Sequence, residues 1–152
     1  MRGTMVCSVS DTEEGRSALE LAAGLSKRLG LRLVLAHVAS GITLNDDDSE
    51  SVSMKASREG ATRLLDRLAA EYGVSAAERR HAVGDEAARL GQIAAEEAAD
   101  LILVGSRPRG RLRRGLVSKL ADQLETETPV PVVIAPPRAR AGRLAATNGG
   151  PR

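Results

Sequence analysis

Short apolar runs without polar alternation recur along this chain, and each is followed by a stretch with helical spacing. Met5–Val9, Leu31–Val38, Leu101–Val104 and Val130–Ala135 are the apolar runs. Ala77–Val83 is a weaker, more charged one, as expected of a strand at a sheet edge. Between them, Ala18, Leu21, Ala22, Leu25 and Leu29 keep helical spacing up to Gly30, which stands where a left-handed helix terminus is expected. Met54–Tyr72 repeats the pattern through Leu64, Leu65 and Leu68 and is closed by Gly73; Glu86–Ala98 follows Gly84-Asp85, and Ser118–Thr126 is a short final helix. Strands that need no polar face are covered on both sides. The pattern therefore predicts an α/β sandwich of three layers with a mainly parallel sheet. Right-handed crossovers leave few topologies, and ligands in such sheets sit beyond the carboxyl ends of the strands, where the strand order reverses. That directs attention to the turns after Val9 and Val104.

A chain of 152 residues has room for one domain with a real core. We assign that domain to residues 1–137 and expect 138–152 to be a basic, disordered tail, because Pro136-Pro137 stops the last strand. The core must be aliphatic, since the chain has no Trp, no Phe and one Tyr. Few stacking platforms are then available for bases, which argues against a nucleic-acid partner. The net charge of +2 points the same way. Arg138, Arg140, Arg143 and Arg152 lie in a tail without acids, so the basic excess belongs to the tail and the rest is close to neutral. The single cysteine, Cys7, excludes an internal disulfide and a thiolate metal cluster and reads as a small core residue. The apolar runs are too short for a membrane span or a signal peptide, so a cytoplasmic location is the expectation. Ser40–Ser53, with Asp46-Asp47-Asp48, reads as a polar, mobile loop. No glycine turn or terminal glutamate follows at calcium-loop spacing, and no metal site is expected.

The loop at 105–117 carries the densest chemistry. Arg107, Arg109, Arg111, Arg113 and Arg114, with Lys119 beyond, concentrate cations that could meet phosphate oxygens or simply remain solvated. Gly105 and Gly110 have Walker spacing, but Arg111-Leu112 stands where Lys-Ser/Thr belongs, so this is not a P-loop. His37, at the end of an apolar strand, reads as a structural residue, and His81 has no second metal ligand in spacing. No nucleophile–base pair can be picked out, so the chain is not expected to be an enzyme.

Together, several segments resemble the universal stress protein family. They are Val6-Cys7-Ser8-Val9-Ser10-Asp11-Thr12-Glu13 with Ala18-Leu19, then Leu35-Ala36-His37-Val38, then Gly84-Asp85. Asp100-Leu101-Ile102-Leu103-Val104-Gly105-Ser106-Arg107 and Thr128-Pro129-Val130-Pro131-Val132-Val133-Ile134 complete the set. The resemblance covers residues 5–38 and 84–135. It implies a Rossmann-like fold of the adenine nucleotide alpha-hydrolase type, with five strands in the order 3-2-1-4-5. It also implies a homodimer; the uncharged last strand, through Val130, Val132, Val133 and Ile134, is the edge that would form it. Nucleotide-binding members resemble Gly-x-x-Gly, nine residues, then Gly-Ser after strand four. Carried onto this chain, the resemblance implies a nucleotide site at Ser10, Asp11, Val38, Val104, Gly105, Arg109, Gly110, Ser118, Lys119 and Leu120, taking ATP or another adenine nucleotide with magnesium. Only the first glycine is kept. Pro108, Ser118 and Lys119 replace the second glycine, the third glycine and the serine, and Pro108 has no N–H and cannot take a positive φ. Ser10 stands where the family places an aspartate, with Asp11 one position late.

Three functions follow as expectations. The first is a stress-response regulatory module with a weak or absent ATP site, working through dimerisation and a protein partner. The second is an adenine-nucleotide-binding stress protein using the loops after strands one and four. The third is slow nucleotide hydrolysis, for which no water-activating residue stands out.

Overall fold

The computed structural model describes residues 2–39, 47–106 and 118–137, with the side chains of 47–56 left aside. Among the described residues nine elements alternate: β1 (Thr4–Ser8), α1 (Glu13–Leu29), β2 (Arg32–Ala39), α2 (Asp47–Glu71), β3 (Glu78–Val83), α3 (Glu86–Glu96), β4 (Leu101–Gly105), α4 (Lys119–Glu127) and β5 (Val132–Ala135). The strands form one parallel sheet in the order β3-β2-β1-β4-β5. Both the class and the order agree with expectation.

Period-two alternation splits β1 between two cores. Met5, Cys7 and Val9 face the side holding Leu19, Leu65 and Leu68 of α1 and α2. Val6 faces the side holding Leu90 and Ile93 of α3 and Leu124 of α4. The neighbouring central strands follow the same rule, with Leu35 and Leu103 on the first side and Val34, Ile102 and Val104 on the second. A strand buried on both faces cannot show polar alternation, and this is why β1, β2 and β4 read as unbroken apolar runs.

Helix starts follow from capping. Thr12, in an extended conformation, accepts the Gly15 N–H on its hydroxyl at 3.1 Å, and Glu13 and Glu14 occupy the positive end of α1. Gly30 ends the helix at φ 64°, as predicted. Asp85 caps α3 through Ala88 N–H and Ser118 caps α4 through Ala121 N–H. At the opposite end of the sheet, Arg32 pairs with Glu78 at 2.7 Å and Glu97 at 3.0 Å, while Arg80 pairs with Glu97 and Glu96, tying the end of α3 to β2 and β3.

Two expectations are corrected. Residues 47–53, expected to belong to a polar loop, are part of α2, which begins at Asp47; residues 40–46 lie outside the described residues. The acidic run reads as loop by composition, yet carboxylates are what the positive end of a helix favours. Val130 is not in the last strand. It lies in a bend where its N–H donates to Thr128 Oγ1 at 3.1 Å, and β5 starts at Val132. Pro131 sets that boundary: without an N–H it joins the ladder only through its carbonyl, which accepts from Ile102 N–H at 2.9 Å. The glycine- and arginine-rich loop from 107 and the tail 138–152 fall outside the described residues.

Candidate nucleotide site at the β1–β4 junction

In the sheet order, β1 is the branch point. The chain leaves β1 towards β2 through α1 on one face and reaches β4 through α3 on the other. Helices that depart to opposite faces leave a recess between the two strand ends. Here it is a cavity of about 430 Å³. Ser8 and Ser10 line it from the end of β1 and the turn after it, Glu14 and Gly15 from α1, and Gly105 from β4. Glu86 enters from α3, and Ser118, Lys119, Leu120 and Gln123 from the start of α4. The first turns of three helices therefore converge on one space.

Two glycines make that convergence possible. A side-chain carbon on Gly105 would stand 2.1 Å from the Glu14 carbonyl oxygen, and one on Gly15 would stand 2.2 Å from Ser10 Oγ and 2.5 Å from Ser10 N. Neither position tolerates a Cβ without moving backbone. Gly105 thus has a packing role here.

The walls differ in chemistry. At α4, Ser118 is buried and its hydroxyl accepts from Ala121 N–H at 3.0 Å, which caps the helix. The amides of Lys119 and Leu120 stand in the first turn of α4, among those with no partner inside the helix, and a helix end of this kind favours an anion. At α3, Ser8 Oγ donates to Glu86 Oε1 at 3.4 Å. Glu86 is open to solvent as a residue, yet its carboxyl stands in the recess. Loss of hydration there raises its pKa, and the charges of Glu14 and Asp85 push the same way against the lowering effects of Ser8 and His37.

Of the residues expected at a nucleotide site, Ser10, Gly105, Ser118, Lys119 and Leu120 are brought together. Asp11 is not among them. Its Oδ1 accepts from Arg16 at 2.8 Å and its Oδ2 from Arg67 at 2.9 Å, and the Arg16 hydrogen bond, first among its contacts, lowers its pKa. Val38 packs into the core under α3, and Val104 is fully buried. Arg109 and Gly110 lie outside the described residues. Sequence reasoning missed Ser8, Glu14, Gly15, Glu86 and Gln123. Glu86 could have been found, because it follows directly on the Gly84-Asp85 pair that opens α3. Gln123, one turn into α4, carried no signal.

The β2–β3 junction is built differently. His37 and His81 are register partners, stacked with ring centroids 5.9 Å apart and planes 13° from parallel. The Val9 carbonyl can only accept, so His37 Nδ1 donates to it at 2.9 Å, which makes His37 the structural residue that was expected. Both ring nitrogens of His81 are buried without a hydrogen-bond partner among the described residues, and burial, then the charges of His37 and Arg58, lowers its pKa. Burial pushes the Cys7 thiol pKa up, in keeping with a core residue. Among the described residues no three potential ligands gather at a metal site, and no helix is long and apolar enough to cross a membrane.

Comparison with known proteins agrees with this architecture. A curated relative, universal stress protein Rv2319c of Mycobacterium tuberculosis, is 39% identical over 92 residues, which is 60% of this chain and 30% of that protein. The chain thus matches less than a third of that relative's length. UspA of Lactobacillus plantarum superposes with a TM-score of 0.65 at 16% identity, covering 89% of this chain and 99% of that one. A universal stress protein in complex with cAMP gives 0.58 at 20% identity, covering 90% and 98%. One from Archaeoglobus fulgidus in complex with dAMP gives 0.56 at 16% identity, covering 89% and 98%. At such identities the structures establish the fold alone. The profile of the Universal stress protein family matches residues 1–136, more than half of the chain, and the protein belongs to that family.

Proposed function

We propose that this protein is a regulatory binding module of stress response whose recess between β1 and β4 takes an adenine nucleotide carrying few phosphates, and takes ATP weakly or not at all. The observation that carries this reading is the convergence of Ser10, Gly105, Ser118 and Lys119 on one cavity, at the start of a helix whose first amides favour an anion. Its volume lies in the range of small-molecule sites. Relatives of the same fold hold cAMP and dAMP, so an adenine monophosphate is the natural ligand class to test.

The weakness towards ATP has two physical sources. Pro108 offers no N–H where the family has a glycine, so one backbone donor to phosphate is lost. A missing charge-assisted hydrogen bond costs about 1.5–3 kcal/mol. In addition, Glu14 and Glu86 line the cavity, and their carboxylates oppose a dense run of phosphate charge. Isothermal titration should therefore show AMP binding more tightly than magnesium-ATP. Submicromolar ATP affinity would overturn the reading. The variant combining Pro108→Gly, Ser118→Gly and Lys119→Ser should gain ATP affinity, and no gain would place the defect elsewhere. In this reading the module signals by binding rather than by hydrolysis.

The same reading includes a cytoplasmic homodimer. Strand β5 stands at the border of the sheet, and Val132, Val133 and Ile134 are uncharged and half-buried. An uncharged edge of this kind pairs readily with a second copy across a two-fold axis. Light scattering on the full chain should give a dimer that Val133→Lys converts to monomer. A monomeric parent would remove β5 from consideration.

A further inference from the structure

The nucleotide recess holds a carboxylate that the family motif does not use and that opposes phosphate charge. Glu86 enters it from the first turn of α3, with Ser8 Oγ donating to its Oε1 at 3.4 Å. A carboxylate only accepts hydrogen bonds, as a phosphate does, so Glu86 has nothing to offer a phosphate and repels it. The phosphate is then directed to the start of α4, where Lys119 and the first-turn amides stand. Ser8 takes one lone pair of Oε1, and the carboxylate retains further acceptor sites for a ligand that brings donors. In a nucleoside 5′-monophosphate the donors joined most closely to the phosphate are the two vicinal sugar hydroxyls. Pairing a carboxylate with a ribose hydroxyl is also how dinucleotide folds recognise the sugar.

We propose that Glu86 is a specificity-determining residue that accepts hydrogen bonds from the sugar hydroxyls, so that the recess prefers a nucleoside monophosphate with a free vicinal diol. This rests on the nucleotide reading of the cavity. Glu86 is itself an exposed residue outside both core clusters, so its substitution leaves the fold in place, and thermal midpoints of the variants check that. Lys119 supplies the contrast, because it addresses phosphate and not sugar.

The test is isothermal titration of AMP, 2′,3′-dideoxy-AMP and inosine monophosphate into the wild type, Glu86→Ala, Glu86→Gln and Lys119→Ala. The wild type should bind AMP about 10-fold or more tighter than the dideoxy analogue, the equivalent of a charge-assisted hydrogen bond. Glu86→Ala should remove that preference by weakening AMP alone, and Glu86→Gln, which keeps one acceptor, should retain part of it. Inosine monophosphate should follow AMP throughout, while Lys119→Ala should weaken all three ligands alike. A sugar preference that survives in Glu86→Ala overturns the proposal. So does a Glu86 effect that tracks the base amino group instead of the diol. If the wild type binds AMP with no sugar preference, the sugar role falls and the nucleotide reading stands; if it binds none of the three, both fall.

Discussion

Two strand junctions lie along the same end of the sheet and reach opposite outcomes. Between β1 and β4 the end is open, lined by Ser8, Ser10, Glu86 and the start of α4 around about 430 Å³. Between β2 and β3 it is filled, with His37 and His81 stacked and His37 bonded to the Val9 carbonyl. Both junctions place polar side chains at strand ends, so composition does not separate them. Topology does. Strands β2 and β3 are joined through one helix, α2, packed on a single face of the sheet, whereas the helices that leave β1 and arrive at β4 lie on opposite faces. The open junction also depends on Gly15 and Gly105, which let α1 approach both strand ends without closing the space. The lesson is that a binding recess in this fold is made by diverging helices and held by backbone contact, while side chains decide what it accepts.

The comparison breaks most readily at Gly105. Gly105→Val would drive a side chain into the Glu14 backbone, and we expect about 3 kcal/mol of destabilisation in urea unfolding, the upper part of the range for overpacking. An unchanged midpoint would mean that α1 can shift freely and that the recess is not held by this contact. Next in size is the cap. Ser118→Ala should cost about 1 kcal/mol and Ser118→Gly only a few tenths, because glycine is tolerated at that position and alanine is not. Equal losses would show that the hydroxyl, and not the backbone conformation, is what α4 needs.

A smaller effect sharpens the closed junction. The pKa of His81 is lowered in the folded state, so its stabilising contribution is present above the ordinary histidine value and is lost as pH falls through that value towards the folded one. The thermal midpoint of the wild type should therefore fall more between about pH 7 and about pH 5 than that of His81→Phe. Parallel curves would mean that His81 protonates as easily folded as unfolded. The smallest effect belongs to Glu86, whose pKa is shifted the other way. Its contribution is complete below the ordinary glutamate value and declines as pH rises through the raised one. Glu86→Gln should thus be slightly stabilised at neutral pH, within about 0.5 kcal/mol, and the gain should vanish in acid. A loss of stability at neutral pH would show that the carboxylate supports the fold and is not reserved for a ligand.

Much of the fold was legible because its signals are local. Helix α1 was legible, since Leu21, Leu25 and Leu29 repeat at helical spacing up to a Gly30 stop. The start of α2 was not legible, because a run of aspartates reads equally as solvated loop or as helix start. The site was half legible. Ser10, Gly105, Ser118 and Lys119 could be placed by family pattern, but Asp11 fits that pattern almost as well and is drawn aside by Arg16 and Arg67. Arg67 is 56 residues away in sequence, a pairing no local window contains.

The amino-acid sequence by itself determined the alternation of elements, the burial of both faces of the central strands, the helix caps and the family. Each of these depends on residues within a few positions of one another, or on periodicity along one element. Only the tertiary structure decided that Glu86, which follows β3, stands beside Ser8 from β1 in the recess that Lys119 also lines. It also decided that Gly105 is needed for Glu14 and that His37 stacks on His81. The physical reason is that parallel crossovers bring together strand ends and helix starts from distant parts of the chain. What meets there is set by strand order and register, which no single segment carries.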